Sequence, residues 1–158
     1  MKNIASFMID HTKLLPGLYV SREDHVGEHT ITTFDIRVCK PNSGNLMNTG
    51  EIHTTEHLVA TYLRNNPQWE DKVIYFGPMG CLTGFYMILA GKYTSEDVLF
   101  LVLDCFNFVA NFEGPVPGAS AVECGNYLDM DLPAAKERAR NYCNVLASIT
   151  KDRLVYPK

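Results

Sequence analysis

Two histidines four residues apart reach one ion together most simply when the chain between them is helical. That makes His53-Thr54-Thr55-Glu56-His57 the most constraining stretch of this sequence. On a helix, positions i and i+4 share one face at adjacent turns, so both imidazoles can ligate one divalent ion at about 2.0–2.1 Å. Glu56 stands one position before the second histidine and can serve the same site without being a ligand. The order H-x-x-E-H is that of inverted zinc-enzyme motifs. The competing reading is a solvated helix that carries two histidines and a glutamate with no ion between them.

The rest of the composition narrows the partners. The formal net charge is −4, with no cluster of Lys and Arg to offset it, which excludes a nucleic-acid partner. The longest apolar run, Val98 to Leu103, is broken by Asp104 and is far too short to span a membrane. Asp10 and His11 follow the N-terminus too closely for an export signal. The five cysteines, at 39, 81, 105, 124 and 143, are odd in number and form no C-x-x-C pair. Both features predict reduced thiols in a cytoplasm, free to act as ligands or acid–base groups.

At 158 residues the chain reads as a single domain over 1–158 with a real core. Phe34, Ile36 and Val38 alternate with Thr33, Asp35 and Arg37, as in a half-buried strand. After the loop Pro41–Asn45, a helix is expected from Thr49 or Gly50 to Asn65, ended by Pro67. Its apolar residues Leu58, Val59, Tyr62 and Leu63 face a core, with the histidines at the margin. Val73–Phe76 and Thr83–Leu89 read as strands on either side of a Gly-Pro-Met-Gly turn. A helix starts near Thr94 or Ser95 and carries Val98, Leu101, Val102, Cys105, Phe106, Val109 and Phe112 at helical spacing; Cys105 is a small hydrophobe on that stripe. A short extended segment should end at Glu123-Cys124-Gly125. A last helix, capped by Asp131 with Pro133 in its first turn, runs to about Ile149. No regular βαβ alternation occurs. The pattern predicts an α+β two-layer sandwich, a largely antiparallel sheet packed against helices, with an inverzincin-like H-x-x-E-H helix.

Two histidines do not complete a catalytic site, which takes three protein ligands and leaves one position for water or substrate. Cys124, Glu123, His25 and His29 are the candidates. Cys124 is favoured because Gly125 would let the backbone turn tightly beside the ion; on a strand, Glu123 would point to the other face. His25 and His29 are expected in a solvated polar loop. Cys81 follows a turn at a strand end, where a nearby cation such as Arg37 would suit a thiol that exchanges protons. Alternatively it is a small residue in a tight turn. Ser6-Phe7 with Asp10-His11 forms a polar, aromatic cluster that either reaches a partner subunit or frays.

Taken together, these residues resemble the S-ribosylhomocysteine lyase (LuxS) family. The matching pieces are Ser6-Phe7 with Asp10-His11, Phe34-Asp35-Ile36-Arg37, His53-Thr54-Thr55-Glu56-His57-Leu58, Pro78-Met79-Gly80-Cys81 with Thr83-Gly84-Phe85-Tyr86, and Cys124-Gly125. They keep the family's order over nearly the whole chain. The resemblance implies that His53, His57 and Cys124 bind one divalent metal per subunit, ferrous iron in the cell, with zinc or cobalt able to substitute. It implies Glu56 and Cys81 as paired acid–base groups. Ser6, His11, Arg37 and Arg64 would hold the substrate in a homodimer with active sites at the interface. The implied reaction cleaves the thioether of S-ribosylhomocysteine to homocysteine and 4,5-dihydroxy-2,3-pentanedione, the autoinducer-2 precursor.

Two departures stand out. Many members have Asp-Ile-Ser where this chain has Tyr75-Phe76-Gly77, and the family aspartate is thought to grip the amino end of homocysteine. Many also carry a basic residue at the position of Thr33. The rival readings are an inverted-motif metallopeptidase, which would use a distal Glu as third ligand, and a metal-storage module with a closed four-ligand site.

Overall fold

The computed structural model describes residues 2 and 4–158; Met1 and Asn3, part of the N-terminal stretch read above for an export signal, lie outside it. Four strands form one antiparallel sheet in the order β1-β2-β4-β3. They are β1 (Gly17–Val26), β2 (His29–Arg37), β3 (Val73–Pro78) and β4 (Gly84–Ala90). Three helices join them: α1 (Thr49–Arg64), α2 (Ser95–Asn111) and α3 (Leu132–Ala147). The expected α+β sandwich of an antiparallel sheet on helices is what the chain forms. Among the described residues no helix is long and apolar enough to cross a membrane.

Helix ends follow local chemistry. Asn48 accepts from the Glu51 N–H while the Glu51 carboxylate takes the Asn48 N–H, closing a capping box on α1. Thr94 and Asp97 repeat that arrangement on α2, and Asp131 caps α3 at Ala134.

One face of the sheet, with Leu18, Phe34, Ile36, Phe76, Phe85 and Met87, meets Leu58, Leu63, Phe106, Ala139 and Leu146 of the helices. Phe34, Phe85 and Leu58 are fully buried, each contributing about 1.5–3 kcal/mol. Cys105 is buried in this layer, as its place on the α2 stripe predicted.

Three expectations need correction. β1 was not legible, because its outer half, Ser21–His25, carries charge instead of alternation. His25 and His29 therefore lie on strands, at the far end of the β1–β2 hairpin, though both are exposed as expected. β2 is buried on both faces, not half-buried: Thr33, Asp35 and Arg37 are 5%, 0% and 2% exposed. The covering layer is the C-terminal segment, whose Tyr156 stacks on Tyr19 at 4.9 Å. The segment before Cys124 is a run of turns, not a strand, with the Cys124 N–H on Ser120 O at 2.9 Å.

Candidate metal centre

α1 carries His53 and His57 on one face, their ring centroids 4.8 Å apart. The stretch between α2 and α3 brings Cys124 to them. The three residues offer ligand atoms that all lie within 4.8 Å of one another, and Cys124 Sγ is 3.3 Å from His53 Nε2. Donors bonded to one tetrahedral ion at 2.0–2.3 Å stand roughly 3.3–3.8 Å apart, a spacing that the Cys124–His53 pair meets.

The outer nitrogens strengthen the fit. His57 Nδ1 is 2.8 Å from the Pro117 carbonyl, which can only accept, so Nδ1 donates and Nε2 keeps its lone pair. His53 Nδ1 is 2.6 Å from Asp129 Oδ1 and donates there by the same logic. Both imidazoles thus turn lone pairs toward the thiol. Among the described residues no fourth His, Cys, Asp or Glu joins the group. Glu123 lies apart, accepting from Ser120 Oγ at 2.6 Å. His25 and His29 are not in the group either.

Local contacts explain how Asp129 arrives. Asp131 N–H donates to Thr54 Oγ1 at 2.9 Å and to Gly50 O at 3.3 Å. Gly50 is needed because a Cβ there would collide with the Asp129 carbonyl. Gly118, at φ +73°, lies against His57, where a Cβ would stand 3.0 Å from Nδ1. Gly125 plays no such part: its φ is ordinary and a Cβ there would meet nothing. The glycine argument for Cys124 therefore fails, although Cys124 is the residue brought to the histidines. Asp129, Pro117 and Gly118 were missed; the Pro-Val-Pro-Gly turn and the acid just before α3 were the available signals.

Glu56 borders a shallow cleft beside the centre with His57, Thr61, Pro117 and Gly118. Cys81 lies in the turn between β3 and β4 and is exposed. Its neighbour Leu82 is held in the left-handed region at φ +62°, a conformation costing about 1–3 kcal/mol. The Leu82 carbonyl accepts from Met47 N–H at 3.1 Å, one residue before the α1 cap. That bond ties the turn bearing Cys81 to the start of the helix that carries both histidines.

Arg37 stands beside the thiol, as its strand face suggested. Its Nη1 is 3.7 Å from Cys81 Sγ and also donates to Thr83 Oγ1, while Nε and Nη2 grip Asp35 at 3.0 and 2.6 Å. Burial opposes the charge on Arg37, but the charge and hydrogen bonds of Asp35 outweigh it and hold the guanidinium more firmly protonated than usual.

Among the described residues, no hydrogen bond joins Ser6 or His11 to this machinery. Ser6 lies in a short 3-10 turn, and His11 Nδ1 is 2.8 Å from Ile9 O. Arg64 donates to the Val73 and Ile74 carbonyls at 3.4 and 3.2 Å. Tyr75 folds along β3 so that any Cβ at Gly77 would collide with its hydroxyl and ring; within the first departure, residues 75 and 77 are one packing unit. Thr33 Oγ1 is buried without a hydrogen-bond partner among the described residues.

Known proteins resemble this chain along nearly its whole sequence. A family model described as S-ribosylhomocysteinase (LuxS) matches residues 4–153. An S-ribosylhomocysteine lyase of Clostridium beijerinckii is 56% identical over 158 residues, covering 99% of each chain. That of Clostridium acetobutylicum is 53% identical over the full length of both chains. That of Borrelia garinii is 50% identical over 157 residues, covering 99% of this chain and all of its own. Such likeness along nearly the whole sequence, in a chain whose two helical histidines and distant cysteine converge, places it in the S-ribosylhomocysteine lyase (LuxS) family.

Proposed function

We propose that residues 1–158 act as one S-ribosylhomocysteine lyase domain, releasing homocysteine and 4,5-dihydroxy-2,3-pentanedione. The observation that carries this reading is the convergence of His53, His57 and Cys124 with Glu56 one residue from a ligand. Those three side chains would hold the divalent metal, ferrous iron in the cell. When bound, such an ion supplies Lewis acidity to the sugar oxygens, worth several kcal/mol of charge stabilisation.

The thioether is a poor target until a carbonyl stands near it. Moving the sugar carbonyl from C1 to C2 and then to C3 makes the proton on C4 acidic, next to the C5–S bond. Loss of that proton lets the electron pair form the C4–C5 double bond and expel homocysteine as its thiolate, with no net redox change. The resulting enol, with its hydroxyl on C4 beside the C3 carbonyl, tautomerises to the dione. Protons leave one carbon and return to its neighbour, which calls for two exchanging groups. Glu56 and Cys81 take these roles, with the Arg37 cation facing the sulfur.

Arg37, Arg64, Ser6 and His11 bind the substrate, the last two from a partner subunit in a homodimer. Support for that assembly comes from the N-terminal arm, where Phe7 and Met8 are 76% and 75% exposed, and from apolar Val122 and Leu128 standing exposed on either side of Cys124. Five free cysteines fit a reducing cytoplasm.

The test is homocysteine release from S-ribosylhomocysteine by anaerobically purified, iron-loaded protein. Glu56→Ala and Cys81→Ala should each abolish release while metal content stays at wild-type level, and His57→Ala should lose the metal itself. Loss of metal in the first two, or no release from folded, loaded wild type, refutes the assignment.

A further inference from the structure

We propose that Tyr156 is a positioning residue for Cys81, acting through Asp35 and Arg37, and that the C-terminal segment is a strap that keeps this relay out of water. The inference rests on the reading of Cys81 as a proton-transfer group, and it extends that group's support to the far end of the chain.

Asp35 sits near the C-terminal end of β2 with no exposed surface. Its carboxylate takes three donors: Arg37 Nε at 3.0 Å, Arg37 Nη2 at 2.6 Å and the Tyr156 hydroxyl at 2.8 Å. A planar guanidinium gripped along one edge has no freedom to rotate. The remaining nitrogen, Nη1, therefore points one way, to Thr83 Oγ1 and Cys81 Sγ. Thr83 Oγ1 in turn lies 3.0 Å from the same sulfur. Asp35 sets the angle of the cation, and Tyr156 holds Asp35.

The ring of Tyr156 does a second job. Lying nearly parallel to Tyr19, at an interplanar angle of 13°, it covers the ion pair, whose side chains are only 3% and 0% exposed. Charge-assisted bonds are stronger in that dry setting than in water. Burial and the Asp35 charge also push the Tyr156 phenol well above its usual range, so it stays a donor.

The strap is pinned along its length. Arg153 Nε donates to Pro16 O at 2.7 Å and Ser95 Oγ to Leu154 O at 2.9 Å. Lys13 Nζ reaches Lys158 O at 3.0 Å. These anchors come from the start of α2 and from the segment before β1, so the relay depends on how both ends of the chain dock. Nothing in the proton chemistry requires a residue at 156. Only its hydroxyl on Asp35 and its ring over the ion pair explain its place.

The experiment measures alkylation of Cys81 by iodoacetamide at one neutral pH, in metal-loaded protein without substrate, with the site identified by peptide mass spectrometry. The thiolate is the reacting form. Tyr156→Phe keeps the stacked ring and removes the hydroxyl; it should slow Cys81 alkylation by about threefold, and Tyr156→Ala by about tenfold. In homocysteine release, kcat should fall in step while KM holds. A merely structural loosening would expose Cys81 further and speed its alkylation, which would overturn the proposal. So would unchanged alkylation in Tyr156→Phe when Arg37→Lys slows it, or in all three variants. Should Tyr156→Ala fail to fold, Tyr156→Phe decides alone. Slowed alkylation in a protein that releases no homocysteine would uphold the relay and remove the catalytic role of Cys81.

Discussion

The metal group and the thiol group are held by opposite strategies. His53, His57 and Cys124 are half-buried, and each histidine is oriented by one hydrogen bond to its outer nitrogen. Around Cys81 the thiol is exposed, but its supports are not: Asp35, Arg37 and Thr83 are 0%, 2% and 2% exposed and tied together by three bonds, with a fourth to Asp35 from Tyr156. A divalent ion, once bound, draws its ligands together through short strong bonds, so the protein need only fix the direction of each ring. On the thiol side the cation is aimed by a buried, fully bonded ion pair, at the cost of desolvating two charges.

Three tests would break or sharpen that contrast. The largest effect is expected for Asp129→Asn, which keeps an acceptor for His53 but removes its charge. Metal affinity should fall about 10- to 100-fold, the usual range for an outer partner of a ligating histidine. Competition with a colorimetric chelator measures it, and an unchanged affinity would show that direction alone matters on the metal side. Gly118→Ala comes next. Its methyl would meet His57 at 3.0 Å on a backbone at φ +73°, costing about 1–3 kcal/mol. Calorimetric melting should fall and metal release should quicken, whereas Gly125→Ala, with open space around it, should leave both unchanged.

The smallest effect appears at high pH. Burial raises the Tyr19 phenol to about 12 from an ordinary value of 10.0, and burial and Asp35 push Tyr156 up as well. Below pH 10 both states keep these protons and stability does not change on their account. Above it the unfolded chain releases protons that the folded chain retains, so stability falls as pH rises from 10 toward 12. Phenolate absorbance followed alongside circular dichroism should show a shallower loss above pH 10 in Tyr156→Phe. An identical alkaline transition in that variant would mean the strap does not share in the stability of the thiol side.

The two regions also differ in how far they could be read beforehand. The histidine pair is a local pattern: a helical period sets both rings on one face whatever the rest of the chain does, and the capping residues Asn48 and Glu51 mark where that helix starts. Asp35 and Arg37 are likewise close in sequence, and their shared strand face was legible. That the face is buried was not, because the residues that cover it are Tyr19 and Tyr156, the latter 121 positions from Asp35. β1 escaped notice because its outer half is charged and pairs only with β2, so no apolar alternation marks it.

Cys124 shows the difference at one residue. Its thiol marked it as a candidate ligand, but the reason first given, a glycine-assisted tight turn, is not how it arrives. It is carried in by the run of turns between α2 and α3, where its N–H donates to Ser120 O. By itself, then, the sequence determined the helices, three of the four strands, the pair of helical histidines and the family, since these follow from periodicity, capping and ordered motifs. Only the tertiary structure decided which distant thiol joins the histidines, what holds each ring, and that the last residues of the chain cover the Arg37–Asp35 pair. Those outcomes depend on loops and a terminal segment docking across the fold, where contacts between residues far apart in sequence leave no local period to read.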